Sequence, residues 1–409
     1  MILLSKFARM LGFTTTLLCC LSCSSAAQKI ETPTRNFITF YINESVTNAE
    51  EDYAEQIIEN WKTYLLSGNY FLTNSPYWNY YEMKRPDYSY VRLLLGLRHL
   101  QQNNAYTQCN IIAIIPVEEG HYLLKCMFTQ MDEDTQQVIL KYITSVYAKR
   151  VDGRFQFVNS TQYHKGNWEK RIIGDVTYYI HPEHRFDEQQ AQEMNEFNQK
   201  MAQKFEIAPI QFDYFVTNNT TQTNQLLGYD FNRYSYMPIR SGGLADNYNT
   251  IIYAGNNAAY YPHEVVHLYT YKKFTGQYHT WVDEGIAAYF GGSTGYYLDW
   301  HLQKLKTFLA ENPDFPLDDL TALQQDIPNG EYTTDFRYAI GGFLMKQIYE
   351  KEGMQGFFDA LQAGKEEEDY FRMLKEKLGV TKNEFADYIK AEMLKLKVLN
   401  QQEMMQLKY

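Results

Sequence analysis

The sequence predicts an α+β protein in which a small N-terminal α+β domain precedes a larger domain with a mainly helical C-terminal part. Three observations support this: an amphipathic helix comes first, alternating segments with hairpin turns follow it, and helical periodicity dominates after residue 262. The 409 residues suffice for two or three domains. We place the domains at 23–170 and 171–409 and divide the second into a site-bearing lobe, 171–300, and a helical lobe, 301–409.

The composition excludes several classes of protein. Hydrophobic residues make up 45% of the chain and charged residues 21%, which is ordinary for a globular protein and argues against a disordered or coiled-coil chain. A net charge of -11 leaves no basic surplus for phosphate groups, so we expect no nucleic-acid partner. Tyrosine is frequent, at 36 residues, but a ring with a polar tip suits many environments and assigns no function by itself.

The first 22 residues have the pattern of a signal peptide. Lys6 and Arg9 are basic, and residues 10–21 form an apolar stretch too short to span a bilayer. The run Cys-Leu-Ser-Cys-Ser-Ser at 20–25 resembles a bacterial lipoprotein signal, which implies that Cys23 is lipidated and becomes the first mature residue. We therefore expect an exported cell-envelope lipoprotein, on the periplasmic or cell-surface side of a membrane and anchored through its N-terminal lipid. An ordinary secretory signal with incidental cysteines is the alternative.

The N-terminal domain is predicted to contain helices followed by antiparallel strands. A capping box formed by Thr47 and Glu50 precedes an amphipathic helix that ends at Gly68. Asp152-Gly153 is a hairpin turn between alternating segments. This outline is similar to the cone-shaped fold of the nuclear transport factor 2 superfamily. The other predicted elements are a helix at 90–100 and strands at 106–117, 120–130, 136–150 and 153–160.

Two cysteines lie on the first two of these strands. With a two-residue turn at Glu119-Gly120, Cys109 would face Gln130 and Cys126 would face Ala113. The two thiols would then be several residues out of register. We expect both to be buried and free.

The second domain is predicted to alternate strands and helices before it becomes helical. Its predicted elements are strands at 176–181, 210–217 and 250–254 and a polar helix at 187–206. From residue 262 onward the pattern is helical, with glycines as breaks.

The most informative segment is His263-Glu264-Val265-Val266-His267, which contains the pattern H-E-x-x-H. Pro262 suits the first turn of a helix, so the two histidines should stand one turn apart on one face. Their ring nitrogens can then converge on one metal ion, and neutral imidazoles suit zinc.

Glu284 is the candidate third ligand, since it follows His267 after 16 intervening residues at the start of another predicted helix. A third histidine six residues after His267 is excluded, because Lys273 occupies that position. Thr280 and Asp283 form a capping box at the start of this helix. The box accounts for Asp283, which we do not count as a ligand.

The segments HEVVH and WVDEGIAAYF, followed by YAIGGFL from Tyr338, resemble the gluzincin metallopeptidases, the peptidase MA-like superfamily that includes thermolysin. The resemblance covers about 172–395. It implies that His263, His267 and Glu284 bind one zinc ion per chain, that Glu264 is the general base, and that the Tyr338 hydroxyl stabilises the oxyanion.

The chemistry of peptide hydrolysis suits these residue types. Three protein ligands leave one zinc position for water, and Glu264 can take a proton from that water and pass it to the leaving amine. The Tyr338 hydroxyl stays protonated at neutral pH and can donate to the oxyanion. Aminopeptidases of this superfamily carry a G-x-M-E-N motif upstream, whereas residues 244–257 contain no glutamate. This favours endopeptidase action, with strand 250–254 as the edge strand that pairs with an extended peptide.

We therefore interpret the sequence as that of an exported, lipid-anchored zinc metallopeptidase acting on peptides or proteins. The alternative is a non-catalytic binding lipoprotein that uses a gluzincin-like scaffold to bind protein or glycan. An intact general base, Glu264, favours the enzyme, because a scaffold does not require one.

Overall fold

A computed structural model describes most of the chain from residue 38 onward. The described residues lie within one compact unit, Phe37–Tyr409. The predicted signal segment, Cys23 and the helix predicted at 90–100 lie outside them. Within them, no helix is both long and apolar enough to cross a membrane. The described ranges are 38–67, 76–79, 107–118, 120–132, 134–233, 241–327 and 334–408.

The first part of the chain forms a sheet with one long helix packed against it. The strands follow one another in the order β1-β2-β3-β4-β5, with β1 parallel to β2 and the other neighbours antiparallel. The helix α1 buries Ile57, Trp61 and Leu65 in the same core as the sheet. The elements are β1 (Ile38–Ile42), α1 (Asp52–Ser67), β2 (Thr107–Glu118), β3 (His121–Met131), β4 (Val138–Val151) and β5 (Arg154–Val158).

The four strands predicted here are confirmed, but the predicted start of α1 is wrong. The helix begins at Asp52, and residues 47–50 form turns rather than a capping box. The Asn48 side chain donates instead to the Ile114 carbonyl at 2.9 Å, which ties this segment to β2. The short strand β1 was not predicted, because five residues carry too little alternation to stand out.

Two irregularities between β2 and β3 correct the predicted cysteine register. The pairing shifts once between Pro116 and Glu118 and again between Ile111 and Ala113, so Cys109 faces Phe128 and Cys126 faces Ile111. The two thiols are therefore diagonal neighbours on adjacent strands. Both are buried and free, as expected. Burial raises the pKa of the Cys126 thiol well above its usual value, which disfavours the reactive thiolate.

The next part of the chain forms a five-stranded sheet in the order β10-β11-β8-β7-β6. The three central strands are parallel, and both edge strands are antiparallel to their neighbours. The elements in chain order are α2 (Ser160–Asn167), β6 (Glu169–Ile173), β7 (Val176–Ile180), α3 (Glu188–Phe205), β8 (Phe212–Val216), α4 (Thr220–Leu226), β9 (Tyr229–Asn232), β10 (Gly243–Asp246) and β11 (Ile251–Ala254).

The remainder is mainly helical, which confirms the predicted α+β class with a helical C-terminal part. Its elements are α5 (Pro262–Phe274), α6 (Thr280–Gly291), α7 (Leu298–Glu311), β12 (Asp326–Ile327), β13 (Thr334–Asp335), a π-helix (Arg337–Gly341), α8 (Gly342–Gln362), α9 (Glu367–Leu378), a 3₁₀ turn (Lys382–Glu384), α10 (Phe385–Lys395) and α11 (Gln401–Met405).

The five-stranded sheet is covered on both faces. One face, which includes Tyr178 and Tyr214, packs in one core with α3, α5 and the C-terminal helices. On the other face Tyr179, Phe215 and Tyr253 form a stacked row, with ring centroids 4.9 and 5.5 Å apart, that belongs to the core of the first sheet. The helix α5, which carries the two candidate histidine ligands, therefore packs against one face of this sheet. The N-terminal part of the chain covers the other face.

The strand β9 joins the two parts of the chain directly. It pairs antiparallel with β4, where Ile143 faces Phe231 and Tyr142 faces Asn232. A strand from the second half thus completes the first sheet. The two halves share a sheet and a hydrophobic core.

We predict that a chain beginning at residue 169 does not fold stably. It would expose the buried side chains of Tyr179, Phe215, Ile251 and Tyr253, at about 1.5–3 kcal/mol each. That sum is comparable to the whole stability of a typical domain, about 5–15 kcal/mol. Thermal unfolding and limited proteolysis measure the stability of this fragment, and the chain from residue 37 is the control. Cooperative unfolding of the fragment at the control's Tm would contradict the shared core.

Candidate metal centre

The helix α5 places both histidines of the H-E-x-x-H segment inside the protein. It begins at Pro262, as predicted, and every residue from 262 to 270 is buried. His263 and His267 lie on successive turns, with ring centroids 4.8 Å apart. A helix buried all round is held by its surroundings, so the positions of its side chains are well defined.

The helix α6 carries Glu284, and its start differs from the prediction. His279 is the N-cap, and its side chain accepts from the Trp281 backbone N–H at 3.3 Å. The predicted capping box of Thr280 and Asp283 is therefore wrong. Asp283 is free for another role.

The three predicted ligands converge. The Nε2 atoms of His263 and His267 are 3.1 Å apart, and the Glu284 Oε2 atom lies 3.2 Å from the first and 3.7 Å from the second. In the described part of the chain, this is the group of three that could hold a metal ion.

Each imidazole is oriented by a partner at its other nitrogen. His263 Nδ1 lies 2.5 Å from the Gly292 carbonyl oxygen, and His267 Nδ1 lies 2.9 Å from Asp283 Oδ2. Because a carbonyl and a carboxylate accept hydrogen bonds, both Nδ1 atoms carry the proton. The Nε2 atoms of both rings therefore face the Glu284 carboxylate.

Asp283 is the functional residue that sequence reasoning missed. Besides its contact with His267, its carboxylate accepts a hydrogen bond from Thr270 Oγ1 at 2.6 Å. Thr270 also contacts the Tyr278 hydroxyl at 3.3 Å. This network fixes the ring of His267. The sequence shows an acidic residue directly beside Glu284, but the predicted capping box already explained Asp283 as a cap residue.

The charges of the site favour a cation between the ligands. Burial alone would lower the pKa of His267, but the Asp283 and Glu284 carboxylates outweigh it and raise that pKa well above its usual value. Burial would raise the pKa of Glu284, yet the two histidines lower it well below its usual value. The site therefore attracts positive charge, as a proton or as a metal ion.

Glu264 lies in the same pocket without a partner. It is buried, and among the described residues its carboxylate makes no hydrogen bond or ion pair. Burial raises its pKa, although His263 and His267 partly oppose the shift. A buried, unpaired carboxylate with a raised pKa has the properties of a general base.

Tyr338 lies against the first ligand. Its ring centroid is 5.3 Å from that of His263 at an interplanar angle of 78°, and burial together with Glu284 raises its pKa well above the usual value. The hydroxyl is therefore protonated and can donate. Tyr338 belongs to the π-helix, a conformation that is rare and frequent at functional sites.

Two groups that the sequence did not indicate support Tyr338. Arg337 makes a bidentate ion pair with Asp335, with contacts of 3.0 and 2.7 Å, at the start of the π-helix. His301 is buried, and its ring centroid lies 6.1 Å from that of Tyr338. Its Nδ1 atom is 2.6 Å from Thr334 Oγ1, and burial lowers its pKa to about 4, so it is a neutral packing partner.

The backbones of two site elements approach each other closely at Gly341. A Cβ atom on Gly341 would lie 2.8 Å from the Trp281 carbonyl oxygen, and one on Gly285 would lie 2.5 Å from the Gly341 carbonyl oxygen. The backbones of α6 and the π-helix are thus in contact. This contact brings Tyr338 and Glu284 into one site.

The predicted edge position of strand 250–254 is wrong. The strand β11 lies between β8 and β10, and β10 is the edge on this side of the sheet among the described strands. Gly242 and Gly255 exchange both backbone hydrogen bonds, so Gly243 and Ala245 of β10 direct their N–H and C=O groups away from β11. These groups can pair with an extended chain.

Comparison with known proteins assigns no family. No family model matches the sequence, and no curated protein matches it.

We predict that Glu264→Gln stabilises the metal-free protein near neutral pH. Because the folded state raises the pKa of Glu264, its ionised form costs free energy of folding above that pKa, and the amide removes the cost. The difference in Tm should shrink as pH falls and Glu264 becomes protonated in both states. Thermal unfolding across pH measures it, with the exposed Glu350→Gln as control. An equal or lower Tm at neutral pH would contradict the cost assigned to this carboxylate.

Proposed function

We propose that His263, His267 and Glu284 hold one zinc ion. The three donor atoms stand 3.1, 3.2 and 3.7 Å apart. Donors bound tetrahedrally at about 2.0–2.1 Å would be about 3.3–3.4 Å apart. The donor set and the spacing therefore fit zinc.

The observation that carries this proposal is the convergence of three metal-binding atoms. Both Nδ1 protons are used by Gly292 and Asp283, so the two Nε2 atoms and a carboxylate oxygen face one another. Such an arrangement is repulsive unless a proton, which the raised pKa of His267 retains, or a metal ion lies between the groups. Three protein ligands also match a catalytic zinc site, because structural sites use four.

We propose peptide-bond hydrolysis as the reaction. A bound zinc ion would supply Lewis acidity toward a peptide carbonyl and toward water. The Glu264 carboxylate would take a proton from the attacking water and deliver it to the leaving nitrogen. The Tyr338 hydroxyl would donate a hydrogen bond to the oxygen on which negative charge develops. The gluzincin resemblance of the sequence motifs agrees with these roles.

The position of β10 supports endopeptidase action. Its outward N–H and C=O groups, at Gly243 and Ala245, can bind the backbone of an extended peptide on both sides of the cleaved bond. This mode does not need a free amino terminus. We place the enzyme in the cell envelope, anchored through a lipid on Cys23, on the strength of the signal sequence.

The alternative, a binding lipoprotein with a gluzincin-like scaffold, is less compatible with Glu264. A scaffold gains nothing from a buried carboxylate without a partner, since its ionised form lowers stability. An enzyme requires that group as a base.

We predict that the protein binds one zinc ion per chain and that the affinity rises with pH. Zinc must displace the proton that the raised pKa of His267 retains, so affinity should increase until the pH reaches that pKa. Calorimetry in buffers of different ionisation enthalpy should show proton release on binding. His263→Ala should abolish binding, whereas Asp283→Asn should weaken it by about 10- to 100-fold. Unchanged zinc content in His263→Ala would contradict the ligand assignment.

We predict cleavage of peptides that are acetylated at the N-terminus and amidated at the C-terminus. A mixed library of such peptides, analysed by mass spectrometry with and without chelator, measures it. Glu264→Gln should keep zinc and lower the rate by about 10²-fold or more. Tyr338→Phe should lower kcat and leave zinc content unchanged. If the zinc-loaded protein cleaves no blocked peptide, the endopeptidase proposal fails.

A further inference from the structure

A cavity lies along α3 and is lined by none of the metal-centre residues. It has a volume of about 520 Å³, within the usual range for small-molecule and side-chain sites. One wall is the outer face of α3, and the other is formed by the segment before α5 and the start of α7. Six residues define its chemistry, namely Glu193, Glu196, Phe197, Lys200, Tyr260 and Tyr297.

Three aromatic rings line this cavity. Phe197 is almost fully buried, and its ring stands at 80° to that of Tyr260 with centroids 6.5 Å apart. Tyr297 is 42% exposed. The π faces of aromatic rings attract cations.

Two carboxylates line the cavity from the same helix as Phe197. Glu193 and Glu196 precede Phe197 along one face of α3, and Lys200 lies one turn further on. Glu193 accepts a hydrogen bond from Gln189 Nε2 at 3.0 Å. In the part of the chain that the structure describes, Glu196 and Lys200 make no ion pair, although their spacing would allow one. The lining therefore carries two negative charges and one positive charge, all on exposed residues.

We propose that this cavity binds a cationic side chain, the ammonium group of lysine or the guanidinium group of arginine, presented by a peptide or protein. The alkyl stem would lie against Phe197, and the cationic head would lie among the rings and the carboxylates of Glu193 and Glu196. Lys200 opposes such a ligand and tunes its affinity downward. The proposal does not rest on zinc or on hydrolysis, because it concerns a separate cavity.

The position of Tyr260 in the chain suggests a function for this cavity. Tyr260 lies three residues before His263, and the ring of the intervening Tyr261 is 6.3 Å from that of His263. A basic residue held here would keep a bound protein next to the metal centre. The cavity would then favour substrates with lysine or arginine outside the cleaved segment.

The test uses the full chain and two probes, N-acetyl-arginine amide and N-acetyl-lysine amide. Saturation-transfer NMR and calorimetry measure their binding, and N-acetyl-norleucine amide, N-acetyl-glutamate amide and glucose serve as the neutral, anionic and sugar comparisons. The same titrations with and without zinc separate this site from the metal centre. We expect binding of both basic probes and no dependence on zinc.

Variants that change the charges on α3 test whether the ligand is positively or negatively charged. Glu193→Gln combined with Glu196→Gln should weaken the basic probes by about fivefold, and Lys200→Gln should tighten them by about twofold. Tyr297→Ala should weaken them by about threefold. Glu188→Gln, on the same helix but outside the cavity, is the control and should change nothing.

Three results would overturn the proposal. Opposite signs for the glutamate and lysine variants would indicate an anionic ligand. Equal binding of norleucine amide or glucose, unaffected by the charge variants, would indicate an apolar or sugar site. Absence of binding of both basic probes at tens of millimolar would show that the cavity is not a cation site, whatever the outcome for zinc.

Discussion

Two imidazole nitrogens and a carboxylate oxygen face one another at 3.1–3.7 Å inside this protein, and much of the surrounding structure maintains that arrangement. Without a proton or a metal ion between them, these electron-rich atoms repel one another in a medium from which water is largely excluded. The Gly292 carbonyl and the Asp283 carboxylate hold the rings against that repulsion by binding their other nitrogens. A cation between the three atoms would turn the repulsion into attraction, and this is the physical basis of the proposed zinc site.

Support for this arrangement comes from both halves of the chain. The helix α5 rests on a mixed sheet whose opposite face is covered by the core of the first sheet, which includes the strand β9. On the other side, α6 contacts the π-helix backbone to backbone at Gly285 and Gly341. The site residues therefore lie between two close-packed interfaces. Small displacements in either would separate Tyr338 from the ligands.

The sequence predicted the parts of the site that depend on local spacing. The separation of His263 and His267 by one helical turn follows from periodicity alone, and Pro262 marked the helix start. The strands with clear alternation were also predictable. The register of Cys109 was not, because two irregularities shift the pairing and only the one beside Pro116 has a distinctive residue. The roles of Asp283 and of β10 depend on contacts across the fold, which spacing along the chain does not encode.

X-ray absorption at the zinc edge of the zinc-loaded protein tests the central claim most directly. The account predicts a first shell of nitrogen and oxygen atoms only, at about 2.0–2.2 Å, with the outer-shell scattering of two imidazoles. His263→Ala should lose this spectrum. A sulfur shell near about 2.3 Å, which would place zinc at Cys109 and Cys126, or the failure of the folded protein to retain zinc, would contradict it.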